Sequence, residues 1–187
     1  MPRDPTQNDD RGEPAAFHLH EITRFHADII EPYSGRPVGC TREEVDALER
    51  KIGYPLPEAY REYLYWMGND RRGIFRGCDW FLGDALPNTA DLPGLLAYNR
   101  IEFPLPSHYL VFFSHQGYMA AWFALPKASE NPPCYFFTEG GPRGPDGKAK
   151  PPTIAGTFTD VLFEDMKGMA SASHKDEMIK KGYLSAG

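Results

Sequence analysis

The stretch that most constrains this chain begins at Thr41-Arg-Glu-Glu44 and runs to Gly68. The Thr41 hydroxyl can accept from the amide of residue 44. The Glu44 carboxylate can reach back to the amide of residue 41, and this reciprocal pair fixes a helix N-terminus. Val45, Leu48 and Ile52 then recur on one helical face, and Gly53 supplies a left-handed stop. Pro55-Leu56-Pro57 bends the chain, and Pro57 suits the first turn of a second helix. On that helix Tyr60, Tyr63, Leu64 and Met67 share a face and Gly68 ends it. The pattern predicts an αα-hairpin with helices over 42–52 and 57–67.

Around this hairpin the texture changes twice. Residues 1–14 are polar and rich in turn formers, too poor in apolar groups to offset their ordering entropy, so they read as a disordered tail. Leu19, Ile22, Phe25, Ile29 and Ile30 predict a helix over 15–30 that stops before Pro32. After Gly68 short aromatic runs bounded by glycine predict strands over 73–82, and 109–125 reads as a hairpin turning at Ser114-His-Gln-Gly117. A further strand is expected over 134–138, and a short helix or turn between Leu92 and Ile101. Residues 140–152, with four glycines and four prolines, read as a loop. Thr157 caps a last helix whose stripe is Phe158, Val161, Leu162, Met166 and Met169. The sum is one α+β domain over 15–170, a central, mostly antiparallel sheet flanked by helices, with a weakly helical tail over 171–187.

Little in the chain resembles assembled chemistry. It has no GxGxxG or Walker-type run, and the glycine-rich segment at 140–147 carries prolines that remove the amide donors a phosphate cradle needs. Cys40, Cys78 and Cys134 are odd in number and far apart, which excludes a disulfide framework and any CxxC site. Cys78 or Cys134 could pair with His108 or His115, but the spacing places none of them together. On a helix His18 and His20 would point roughly 200° apart and could not share a metal. No catalytic residue, metal site or cofactor is expected. A net charge of −6 disfavours nucleic acid, because phosphate binding needs clustered Lys and Arg. No apolar run approaches the ~20 residues of a membrane span, and MPRDPTQNDDRGEP lacks an apolar signal core, so a cytoplasmic protein is expected.

The run from Thr41 to Leu64 resembles the opening signature of the SUKH superfamily of SMI/KNR-type domains. Its capped helix is succeeded by a glycine, a Leu-Pro bend, and a Tyr and a Leu on the next helix. Thr41, Glu44, Glu49, Gly53, Leu56, Pro57, Tyr60 and Leu64 stand at those places. The Phe-Phe strand and hairpin at 110–125, Pro-Pro-x-Tyr-Phe at 132–136 and Thr-Phe-Thr-Asp-Val-Leu at 157–162 are also similar, whereas Gly68-Asn69 reverses the usual Asn-Gly order.

The resemblance implies a SUKH-type α+β fold and function by binding. Many bacterial members are immunity proteins that neutralise a toxin, often a nuclease, encoded nearby; fungal members act as regulators and scaffolds of cell-wall synthesis. The structural positions carry over, and no catalytic residue does. An acidic protein could plug a basic toxin surface, with steering by complementary charge. Asp70, Asp79, Asp84 and Glu139, at expected turns and strand ends, are the candidate contacts, with Trp80 and Tyr118 as candidate anchors. Each reads equally as an ordinary solvated surface residue, and for Trp80 a core position is the stronger reading, since tryptophan is highly buried on average.

Overall fold

A computed structural model of the chain describes residues 18–125, 129–141 and 149–185. The expected tail at 1–14, residues 15–17 of the first expected helix and residues 142–148 of the expected loop lie outside these. In chain order the elements are α1 (His20–Phe25), a π turn (His26–Ile30), α2 (Glu31–Ser34), α3 (Arg42–Ile52), α4 (Glu58–Met67) and a 3-10 turn (Leu82–Asp84). Then come α5 (Ala85–Tyr98), β1 (His108–His115), β2 (Met119–Leu125), β3 (Pro133–Thr138), β4 (Thr153–Thr157) and α6 (Phe158–Lys180).

The four strands form one antiparallel meander in the order β1-β2-β3-β4. Both faces are covered, so β2 reads Met-Ala-Ala-Trp-Phe-Ala-Leu with no polar alternation. Alternate residues still divide between two cores. Leu110, Phe112, Ala121, Phe123 and Cys134 face the larger one, with α3, α4 and α6. Val111, Ala120, Trp122 and Phe137 face the smaller one, under Leu92 and Leu96 of α5. A register shift between Val111 and Phe113 lets Phe112 and Phe113 both join the larger core. Tyr60 is fully buried there and meets Phe112, Phe123 and Phe158 at ring-centroid distances of 6.3, 5.5 and 5.4 Å.

The αα-hairpin has the expected form. Thr41 N–H donates to Glu44 Oε2 at 2.8 Å and Glu44 N–H to Thr41 Oγ1 at 3.2 Å, while Gly53 adopts φ +78°. The bend is held by Glu49, whose Oε1 accepts from Leu56 N–H at 2.8 Å. Leu48, Leu56, Pro57, Tyr60 and Leu64 are all buried. The N-terminus of α1 has no cap of its own. Buried Glu62 on α4 serves it instead, accepting from His18 N–H at 3.0 Å and Leu19 N–H at 3.3 Å.

Four expectations need correction. The first helical segment does not stop before Pro32, because Glu31 N–H bonds back five residues to His26 O and Pro32 falls at the start of the next turn, where no N–H is required. No strand forms over 73–82. The chain makes successive turns there, and only an isolated bridge joins Asp79 to Ser114. The fourth strand is instead β4, which comes after the expected loop. The short helix expected from Leu92 begins earlier, at Ala85, and carries Pro93 inside it. Pro93 cannot donate to Thr89 O, and the Tyr109 hydroxyl donates to that carbonyl instead at 3.3 Å. At the far end α6 runs past 170 to Lys180 with a kink at His174, and Met178 is buried in the larger core.

Candidate functional site

The segment between α4 and α5 is a chain of short turns pinned from beneath. Asp70 N–H donates to Met67 O, Gly73 N–H to Asp70 O, Arg76 N–H to Gly73 O and Cys78 N–H to Phe75 O, at 3.0 to 3.1 Å. The Asp70 carboxylate folds back against Gly73, where a Cβ would lie 1.9 Å from Oδ2 and would make the Asp70 side chain swing aside. Phe75 is buried and stacks on Trp80 at 4.9 Å and 23°. Asp79 then trades both backbone hydrogen bonds with Ser114, at 2.8 and 3.2 Å, which ties the turns to the end of β1.

This tie brings distant residues together. The hairpin tip after β1 carries Tyr118, whose ring packs edge-on against His115 at 5.2 Å. Glu139, just past β3, donates its N–H to Tyr118 O at 2.9 Å. Arg71 Nη2 reaches Asp84 Oδ1 at 2.9 Å, and its guanidinium lies 4.8 Å over the Phe81 ring. Asp70, Asp79, Asp84, Tyr118 and Glu139 therefore gather at one end of the sheet, all half-buried.

Their exposure differs from the expectation of acidic groups reaching freely into solvent. Burial pushes the Asp79 carboxyl above its ordinary range, nearby Asp84 adds to this, and Arg71 and His115 oppose it. Burial likewise raises Asp70, against the pull of Arg72. The outermost charges are arginines. The Arg71 side chain is 57% exposed against 22% for Asp84, and Arg72 and Arg76 are exposed as well. Three arginines in six residues (71–76) are a signal the sequence does carry, masked by the acids before and after them.

Trp80 is not a surface anchor. It is fully buried, ringed by Tyr63, Phe75, Phe112, Phe113 and Phe158, and its Nε1–H donates to Asp165 Oδ2 at 2.7 Å. The sequence favours a core position for Trp80 over an anchor, and the structure agrees. Here the turns fold inward so that Trp80 roofs the larger core. Asp165 is itself raised by burial, offset by the indole hydrogen bond and by His115.

One pairing that spacing could not place is present. Cys78 Sγ lies 3.1 Å from His115 Nδ1. Burial, with Asp165 and Asp79 nearby, pushes the Cys78 thiol up to about 11, the opposite of what an activated nucleophile requires. Cys40 and Cys134 are also raised, chiefly by burial. Among the described residues no three His, Cys, Asp or Glu side chains converge as metal ligands would, and no helix is long and apolar enough to cross a membrane. His26 is buried and packs edge-on against Trp66 at 5.2 Å.

Compared with known proteins, residues 39–164 match the model of the SMI1 / KNR4 family (SUKH-1). No curated protein matches the chain. The matched span runs from just before the Thr41 cap into α6 and contains the whole of the turn segment, the meander and the end of the sheet described above.

Proposed function

This chain belongs to the SMI1 / KNR4 family (SUKH-1), and from that premise we propose that it is a non-catalytic protein-binding module, an immunity protein that binds and neutralises a toxin domain encoded beside it. Domains of this family commonly serve as immunity proteins and in general work by binding protein. The observation that carries the reading is the convergence of the turn segment, the hairpin tip and Glu139 on one end of the sheet. Rigid turns mounted on a packed core lose little entropy when a partner docks, which favours recognition. The same end offers no poised nucleophile, since the one Cys–His pair described there holds its thiol protonated at neutral pH.

Co-expression tests this. The C-terminal domain of the neighbouring gene product is induced in a bacterial host with and without this chain. The reading expects arrest of growth by the domain alone and rescue by the chain, with the two copurifying as a complex. Arrest that the chain leaves unchanged, with no complex recovered, would contradict it.

A further inference from the structure

We propose that the turn segment from Asn69 to Gly77 is an arginine-presenting docking surface for a carboxylate-rich stretch of a protein partner. The inference rests on the binding role above and assigns the sign of the partner's surface, opposite to the basic partner that the net charge of −6 suggested. The argument is local. At physiological salt, exposed charges farther apart than roughly 8 Å are largely screened, so the whole-chain charge counts for less than the groups at the contact. At this contact Asp84 is already paired with Arg71, and Asp70 and Asp79 are half-buried. Arg72 and Arg76 stand outside them, and among the described residues neither has an ion pair within 4.0 Å.

The segment is also built to hold them still. Four turn hydrogen bonds and the Phe75–Trp80 stack fix the backbone from which both arginines project. Guanidinium groups on a fixed backbone match carboxylates bidentately and are enriched among the residues that dominate interfaces. Nucleic acid offers the same negative sign but presents a long run of phosphates. Beyond these arginines the chain carries more acid than base, and such a run would be repelled.

The test is fluorescence anisotropy at about 0.15 M salt with three labelled probes: a glutamate-rich peptide of about 15 residues, a lysine-rich peptide of equal length and a single-stranded oligonucleotide. The protein is used intact, as wild type and as the double variant Arg72→Glu with Arg76→Glu, whose fold is checked by its melting curve and which is compared at a temperature where both proteins are folded. The inference expects the glutamate-rich peptide to bind wild type best and the double variant to lose at least about ten-fold in affinity, the scale of one hot-spot contact. Equal binding to wild type and variant, preference for the lysine-rich peptide or the oligonucleotide, or no binding of the glutamate-rich peptide would overturn it. Growth rescue separates the two levels: rescue that survives the double variant leaves the binding role standing and removes this inference.

Discussion

Trp80 and Asp165, 85 residues apart in sequence, meet in a 2.7 Å hydrogen bond from the indole Nε1–H to a carboxylate oxygen. The bond ties the turn segment to α6 through the larger core. It makes Trp80 the beam beneath the candidate binding end, and contact with a partner then falls to the groups above it.

Trp80→Ala is therefore expected to destabilise the fold by about 3–5 kcal/mol, the usual cost of emptying a large aromatic site. Trp80→Phe should cost less, since it keeps most of the packing and removes only the donor to Asp165. Urea melts of the two variants check this. Weakened binding with an unchanged melt would mean that Trp80 acts as an exposed anchor after all.

Asp165 gives a pH signature. Burial raises its folded-state pKa above the ordinary 3.8, so between the unfolded and folded values the folded protein holds a proton that the unfolded chain has released. The stability tied to that proton is complete below the unfolded value and is lost as pH rises through the folded one. Asp70 and Asp79 share this sign. Asp165→Asn, whose amide oxygen can still accept from the indole, should gain stability relative to wild type as pH is raised from about 3 toward 7, across the range in which the native carboxyl must ionise. Parallel curves for the two proteins would contradict the assignment.

The αα-hairpin separates a core contact from a cap. Leu64 is fully buried, and Leu64→Ala should cost about 2–5 kcal/mol. Thr41 is exposed and serves only as cap, so Thr41→Ala should cost about 0.5–2 kcal/mol. Denaturant midpoints of the two variants decide, and a reversed order would be inconsistent with this packing.

The helical half of the molecule is legible in the sequence because its signals are local. Thr41 with Glu44, Gly53, and Thr157 each declare a helix end within a few residues, and each does so in the structure. The hairpin between β1 and β2 is legible for the same reason. The turn segment reads as strand because Phe75 and Trp80 face one core instead of alternating between two sides, so aromatic density imitates a strand. β4 escapes sequence reading because it lies at the edge with Ile154 exposed and gives no alternation to read. The candidate site depends on the Asp79–Ser114 bridge and the Cys78–His115 approach, and no periodicity announces contacts across 35 and 37 residues.

The C-terminal segment has its own test. Met178 is fully buried, and Tyr183 packs edge-on against Phe25 at 4.9 Å while its hydroxyl donates to Asp28 Oδ2 at 2.7 Å. Truncation after residue 170 should lower the melting temperature, and Met178→Ala alone should cost about 2–5 kcal/mol. A truncated chain as stable as the full one would show that the last turns of α6 contribute nothing.

The central claim, that binding occurs at the end where the turn segment meets the hairpin tip, is tested most directly by hydrogen–deuterium exchange on the full chain, alone and with the C-terminal domain of the neighbouring gene product. The account predicts added protection confined to 69–84, 114–118 and the region around Glu139. Protection on the outer faces of α3 or α5, with those segments unchanged, would contradict it.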